Sequence, residues 1–563
     1  MRRKTRPAIL AGAFLLLLVQ AALLPPGAVW ITDNGNKQMV LENLIRHGTP
    51  AMANPAAELD PGNRFFPDGN FHFRVMEDGK IRSIYPEFFS ALALPGCRLL
   101  GNAGLWILPV GGTLAVLALF LALIGRLGLS PRLEAWLTGL LLCGSPLLFY
   151  SGTFWEMTLA AAFPLAALLA ARGKRLFLAG LLLGAGLWLR EEFYLVALCS
   201  GIAALVFYPK EWKRCLPFGA GFLALAVPLW LYNFAVYGHL LGLHGALYYT
   251  HNVEGAPALA ERLSGVFEGF FVYLWKFNPG NPETVWYYWV ALAPMFLLPV
   301  AGFLRGAERF KTAAAWAAVA AWAFLLWLFW TNPAPVLASG LTVGFLTASP
   351  LLAGFFLEWR NLLRRGPRPR RMLTLAALLY CLALPLVLTR SDIGLIWGAR
   401  HYLLIYPALF ALGFAGFAGL RRNRSLAVAL IAVALAMQAM GIRMLFGVAE
   451  DAARAEATVA ALEPRAVVSD VFFLPEMTPR LFFAKQWLYL KRDDRVDDLL
   501  AALRRRGVKR FTLVLSASPQ FRQVSDAGLA RLLRAAPPVA PPFRLPAPGS
   551  GFMGLLIAEC RLQ

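Results

Sequence analysis

The chain has 563 residues, 58% of them hydrophobic and only 15% charged, with a mean hydropathy of +0.58. That balance excludes an ordinary soluble globular protein and indicates a polytopic membrane protein. The formal charge of +22 sits in short basic clusters between apolar runs rather than along one continuous face, so it reads as a set of topology signals in contact with membrane lipid and not as a nucleic-acid surface.

Runs able to cross about 30 Å of hydrocarbon are about thirteen in number, at residues 8–27, 103–124, 134–151, 156–171, 175–189, 193–208, 215–237, 286–304, 312–331, 335–358, 372–389, 402–419 and 425–446. The 175–208 region reads equally as one hairpin or one bent span. Every second connection is basic, from Arg2, Arg3, Lys4 and Arg6 through Arg126 and Arg132 to Arg364, Arg365, Arg368, Arg370 and Arg371. The positive-inside rule therefore places the N-terminus in the cytoplasm, and an odd number of spans leaves the C-terminus outside. Residues 1–27 are read as an uncleaved first helix in preference to a signal peptide, because Leu24-Pro25-Pro26-Gly27 lacks a small-x-small cleavage site.

The fold predicted is an all-α membrane protein with a folded first outer loop and a small C-terminal α/β domain. Its membrane domain covers residues 1–446, with outer loops at 28–102 and 238–285, and a periplasmic α/β domain covers 447–563. Residues 36–47 mix Met39, Val40, Leu41, Leu44 and Ile45 with Lys37, Glu42 and Arg46, a pattern that predicts a short amphipathic helix lying on the membrane surface. Further on, Phe71–Val75 and Lys80–Tyr85 flank Glu77-Asp78-Gly79 and predict a β-hairpin. In the tail, residues 465–469, 486–490, 511–515 and 555–558 read as strands, with a helix over Asp493–Gly507 and an extended Pro-rich connection over Pro537–Pro548.

The six cysteines form no CxxC and have no histidine at metal spacing. Cys97 and Cys560 both fall on the outer side, which leaves a bridge between them open.

With the outer side fixed, polar residues stranded at outer helix ends become the candidates. Asp33 follows the first span, where a carboxylate at the bilayer boundary is costly and persists for a reason. Glu156 opens the helix after Ser151-Gly152-Thr153-Phe154-Trp155, a place where an acid also complements the helix dipole. Arg190, Glu191 and Glu192 form a charged triplet at the next outer turn, equally readable as a solvated ion pair. Arg400 and His401 stand at the lip of a late span, where a guanidinium offers a planar fork for a phosphate; Lys276 is a weaker phosphate candidate. These loops predict one cavity above the membrane. No Gly-rich phosphate loop, HExxH, GxSxG or DxD element occurs, so ATP-driven transport is unsupported.

The combination resembles the GT-C superfamily of membrane glycosyltransferases, in the branch of protein O-mannosyltransferases and aminoarabinose transferases. The likeness rests on Asp33 after the first helix, a long first outer loop ending in Tyr85-Pro86, Phe154-Trp155-Glu156, Arg190-Glu191-Glu192, Gly398-Ala399-Arg400-His401-Tyr402 and a soluble outer tail. Asn34 follows Asp33, so the paired acid frequent in the family is absent. The resemblance implies inverting transfer of a sugar from a polyprenyl phosphate carrier to a hydroxyl of a glycan, lipid or protein acceptor on the outer face of a bacterial cytoplasmic membrane. In that reading Asp33 accepts the acceptor proton, Glu156 orients the acceptor or helps to hold a metal, and Arg400, with Arg190 or Lys276, pairs with the phosphate. Glu191, His401 and Tyr85 complete the implied substrate site. A divalent cation is compatible with this site, but two carboxylates alone do not define one. The rival readings are a lipid-linked glycan flippase or transporter, which would carry ionisable groups near the midplane and a repeat between its halves, and an O-antigen polymerase or ligase, whose largest outer loop falls late in the chain.

Overall fold

A computed structural model describes residues 2–66, 72–246, 272–273, 294–304, 308–331, 342–387, 397–398, 400–417, 423–517, 522–546 and 554–563. The chain divides into two compact units. The first comprises Met1–Leu23, Trp106–Gly152 and Glu156–Arg443, and the second Leu24–Leu105, Thr153–Trp155 and Met444–Gln563.

Among the described residues six helices are long and apolar enough to cross a membrane: Thr5–Leu23, Phe88–Leu127, Pro209–Tyr237, Glu308–Thr331, Arg368–Val387 and Arg424–Ala461. Met157–Arg172, Leu176–Leu187, Phe193–Phe207 and Pro294–Phe303 are shorter apolar helices. Several of the predicted runs thus differ in detail. The 175–208 region resolves into a hairpin of two helices. The run at 134–151 breaks into Pro131–Cys143 and Pro146–Ser151, because Gly144 leaves the helix and Pro146 restarts it behind a Ser145 cap. Within 335–358 the described part is not one span: a two-residue strand Thr342–Val343 and a 3-10 turn at Pro350–Leu352 precede the helix Ala353–Arg364. The last run, 425–446, continues unbroken to Ala461.

The first unit is held by close helix contacts and by a few deeply placed charges. Leu176–Leu187 approaches Leu216–Tyr237 through glycine on both sides. A Cβ at Gly180 would lie 1.9 Å from the Phe218 carbonyl oxygen, and one at Gly221 2.0 Å from that of Phe177. Small residues are what allow backbones so near one another where no water drives the association. Arg6 donates from Nε and Nη2 to both oxygens of the buried Glu134, each at 3.0 Å, a forked geometry that only arginine supplies.

In the second unit, helix α1 (Thr32–His47) is followed by the predicted hairpin, β1 (Phe73–Val75) with β2 (Ile81–Ser83), and by helix α2 (Phe88–Leu100). The hairpin is antiparallel with Arg74 opposite Arg82, and Gly79, at φ 76°, supplies the left-handed residue of its turn. Helix α1 corrects the expectation of a surface helix. Asp33, Asn34, Asn36, Lys37, Gln38 and Asn43 are buried together with its apolar residues, since its polar side has partners inside the unit rather than water.

The tail forms a five-stranded sheet from β3 (Ala466–Ser469), β4 (Gln486–Tyr489), β5 (Arg510–Ser516), β6 (Phe543–Leu545) and β7 (Leu555–Arg561), in the order β4-β3-β5-β7-β6. The first three strands are parallel; β7 runs antiparallel to β5 and to β6. Between them lie α3 (Leu474–Met477), α4 (Val496–Arg505) and α5 (Asp526–Ala535). The short β6 and the Ser525-capped α5 go beyond the sequence reading. Near-continuous apolar runs such as Phe511 to Leu515 suit strands covered on both faces. Val468, Leu488, Leu513 and Ala558 share one core with Leu499 and Leu503 of α4 and Leu532 of α5, and Ala56, Leu59 and Phe65 of the first loop belong to the same core. Cys97 and Cys560 are separate buried free thiols, as are the other four cysteines free; a bridge between those two is thereby excluded, Cys560 being spent on this core.

Candidate functional site

Two buried polar clusters, one in each unit, contain most of the residues singled out by sequence. In the second unit Asp33 lies in the first turn of α1 and is 4% exposed. Its Oδ1 accepts a hydrogen bond from the Tyr85 hydroxyl at 2.8 Å. Residues three and four apart share a helix face, so Asn36 and Lys37 stand on the same side of α1 as Asp33. The Lys37 ammonium lies 4.4 Å from the centroid of the Tyr85 ring, a cation–π contact, and Ser90 Oγ donates to the Lys37 carbonyl at 2.8 Å. Tyr85 is fixed further by its own N–H, which donates to Ser83 Oγ at 3.0 Å, while that hydroxyl donates to Asn36 Oδ1 at 2.5 Å.

Two further groups complete this cradle. The ring of His72 stacks on Tyr85 with centroids 5.8 Å apart, and its Nδ1 is 2.9 Å from Oε2 of Glu476 on α3. Asn36 Nδ2 bridges the same pair, at 3.0 Å from the His72 carbonyl and 3.4 Å from Glu476 Oε1. Burial, with the charge of Asp33 adding to it, raises the Glu476 carboxyl above its ordinary range, while His72 and Asn36 oppose the rise. Gly35 is what lets α1 approach α3, since a Cβ there would lie 1.5 Å from the Glu476 carbonyl oxygen.

The cluster in the first unit is ionic. Arg190 donates from Nη1 to Glu156 Oε1 at 2.8 Å and from Nε to both oxygens of Glu192 at 3.0 and 2.9 Å. His401 Nδ1 is 3.1 Å from Arg190 Nη2 and is also paired with Glu192, and Tyr380 donates to the His401 carbonyl at 2.9 Å. Glu191 pairs with His244 Nδ1 at 3.0 Å. Arg400 is buried in the 3-10 turn Arg400–Leu404. A cavity of about 270 Å³ is lined by Leu195, Leu241, Leu384 and Val387 beside Glu191 and Glu192.

The structure thus joins Asp33 to Tyr85, and Glu156 to Arg190 and, through Glu192, to His401. Lys276 lies outside the described residues. The sequence reading passed over His72, Asn36, Lys37 and Glu476 as site residues. The spacing of Asp33, Asn36 and Lys37 on one helix carried a signal for two of them; nothing near Glu476 in the sequence signals its place beside them. Among the described residues no three His, Cys, Asp or Glu side chains are grouped to hold a metal ion.

No protein-family model and no curated protein matches the sequence. Among solved structures, the chain is similar to ArnT from Cupriavidus metallidurans bound to undecaprenyl phosphate, at 12% identity over 98% of this chain and 97% of that one, with a TM-score of 0.41. It is similar also to the apo state of that protein, at 13% identity over 90% and 93% of the two chains, with a TM-score of 0.36.

Proposed function

We propose that this protein is a membrane glycosyltransferase that moves a sugar from a polyprenyl phosphate carrier to an acceptor hydroxyl on the outer face of the cytoplasmic membrane, with inversion at the anomeric carbon. The observation that carries the reading is the buried Asp33 carboxylate, placed soon after the first apolar helix and held in one orientation by the Tyr85 hydroxyl. A carboxylate so fixed is suited to receive a proton as a hydroxyl attacks. The acceptor oxygen bonds to the anomeric carbon, the bond from that carbon to the phosphate oxygen breaks with its electron pair going to the phosphate, and the acceptor proton passes to Asp33.

The first unit supports the donor side of the reading. A polyprenyl chain is too apolar to leave the bilayer, and the cavity lined by Leu195, Leu241, Leu384 and Val387 offers an apolar place for part of it. Arg400 pairs with the phosphate in this reading, countering charge that develops on the leaving group. An anion at Arg190 has to compete with Glu156 and Glu192, so Arg190 acts chiefly by ordering Glu156 and His401.

The test is transfer from polyprenyl phosphate sugars to candidate acceptors by the purified full chain, wild type against Asp33→Asn. Loss of transfer in a variant that remains monodisperse supports the assignment. Undiminished transfer removes Asp33 from the mechanism. Reporter fusions after Arg368 and after Gln563 test the orientation, and must report opposite compartments.

A further inference from the structure

The cradle around Asp33 holds a pair of groups that the proposed reaction leaves unused. Glu476 is 4% exposed and His72 15%; His72 stacks on the ring of Tyr85, whose hydroxyl donates to Asp33, and Glu476 also meets Asn36 of α1. A carboxylate bonded to one imidazole nitrogen fixes the ring's tautomer and its orientation. The ring so fixed stacks on Tyr85, and Tyr85 in turn points its hydroxyl at Asp33. A bland reading, in which Glu476 and His72 merely fasten α3 to the hairpin, would explain one hydrogen bond. It does not explain why an ionisable pair, rather than an apolar or amide contact of equal size, stands against the ring that orients Asp33. Burial of two ionisable groups is costly unless each serves the other.

We infer that Glu476 and His72 are positioning residues for the reaction at Asp33: Glu476 orients His72, His72 and Lys37 fix the Tyr85 ring, and Tyr85 holds the Asp33 carboxylate in the one direction from which it can take the acceptor proton. The inference rests on the glycosyltransferase reading for its chemical consequence but not for its geometry. It makes the tail a working part of the site rather than a cap or a recognition module. The titratable and charged neighbours of the pair are Asp33 and Lys37 from α1 and Tyr85 following β2, with the Arg82 and Glu87 ion pair flanking Tyr85 in the chain. A change of charge on the imidazole alters the field at the Tyr85 ring stacked on it.

Two measurements on the full chain test this. In the first, 3-fluorotyrosine is incorporated and the Tyr85 fluorine resonance, identified by its loss in Tyr85→Phe, is followed from pH 5 to 8. In the wild type it moves with pH. In His72→Gln that movement disappears, and in Glu476→Gln its midpoint shifts; whether the pair serves the reaction is decided by the second measurement. In the second, the transfer assay is run on Glu476→Gln and Glu476→Asp. The amide lowers kcat roughly tenfold to hundredfold, the loss expected from a small misplacement of a reacting group, with KM changed less than about twofold, and the shorter acid recovers part of the rate. A Tyr85 resonance whose pH response is identical in wild type and Glu476→Gln overturns the inference, as does an unchanged kcat and pH profile. If the wild type transfers no sugar, the functional reading falls by itself, and the fluorine titration still decides whether the pair governs Tyr85. Should Glu476→Gln fail to fold, Glu476→Asp and His72→Gln carry the same comparison.

Discussion

Replacing Gly35 by alanine puts the contact between α1 and α3 to a quantitative test. Relieving a Cβ that stands 1.5 Å from the Glu476 carbonyl oxygen, to the 3.4 Å where ordinary van der Waals contact begins, moves one segment by about 1.9 Å. The obstacle is backbone, which cannot rotate away as a side chain can. Overpacking of this kind costs about 1–3 kcal/mol, and the upper end applies here. Alanine in a helix returns about 1 kcal/mol relative to glycine, which leaves a net loss of about 2 kcal/mol. At about 2–4 °C per kcal/mol for a body of this size, the melting temperature of the second unit falls by about 4–8 °C. The same displacement carries Glu476 out of reach of His72, now 2.9 Å away, so kcat falls as in Glu476→Gln. The assay is thermal unfolding of the purified chain alongside transfer kinetics, with Gly12→Ala as the control, since a Cβ at Gly12 meets nothing within 4 Å. A Gly35→Ala protein with wild-type melting temperature and wild-type kcat would refute the reasoning.

Glu192→Gln removes the Glu192 carboxylate that pairs with both Arg190 and His401; breaking a buried pair costs about 3–5 kcal/mol, read as a lower melting temperature, and Arg190→Lys does not substitute because its one ammonium cannot serve Glu156 and Glu192 along separate N–H directions. Asp470, at the end of β3, accepts from the Ser516 and Gln523 amides, yet burial pushes its carboxyl up to about 6. A folded pKa above the unfolded one makes stability greatest at low pH and loses it as pH rises through about 4 to 6, an effect of about 3 kcal/mol. Asp470→Asn therefore flattens the pH dependence of hydrogen exchange in the tail sheet over that interval, and an unchanged slope contradicts the assignment. Finally, six thiols react with maleimide in unreduced, detergent-denatured protein, since all six cysteines are free; a count of four would mean that a bridge exists.

Much of the architecture was legible because it depends on local pattern. Alternating residues around Glu77-Asp78-Gly79 specify the hairpin, and apolar runs ending in turn residues specify β3, β4 and β5 to within a residue and the start of β7, whose end at Arg561 lies three residues further on. The spans were less legible, because hydropathy averages over breaks. Gly144, Ser145 and Pro146 interrupt a run whose mean remains high, and the 335–358 stretch holds Thr347, Ser349 and Pro350 among its apolar residues. Helix α1 misled for a different reason. Its polar residues match a surface pattern, and only the arrival of Glu476 and the hairpin turns that polar side into an interior. Within the candidate site, Asp33 stood out in the sequence from its place after an apolar run, but its neighbour Glu476 did not, since no periodicity links residues 33 and 476.

That distance has a consequence for how the protein comes into being. Asn36 and Glu476 are separated by 440 residues, and translation at about 5–20 residues per second separates their synthesis by roughly 20 to 90 seconds. Throughout that interval the nascent chain carries Asp33 but not Glu476, the residue proposed to steady it. On the proposed reading the site is completed last, and truncated products of interrupted synthesis carry Asp33 without Glu476.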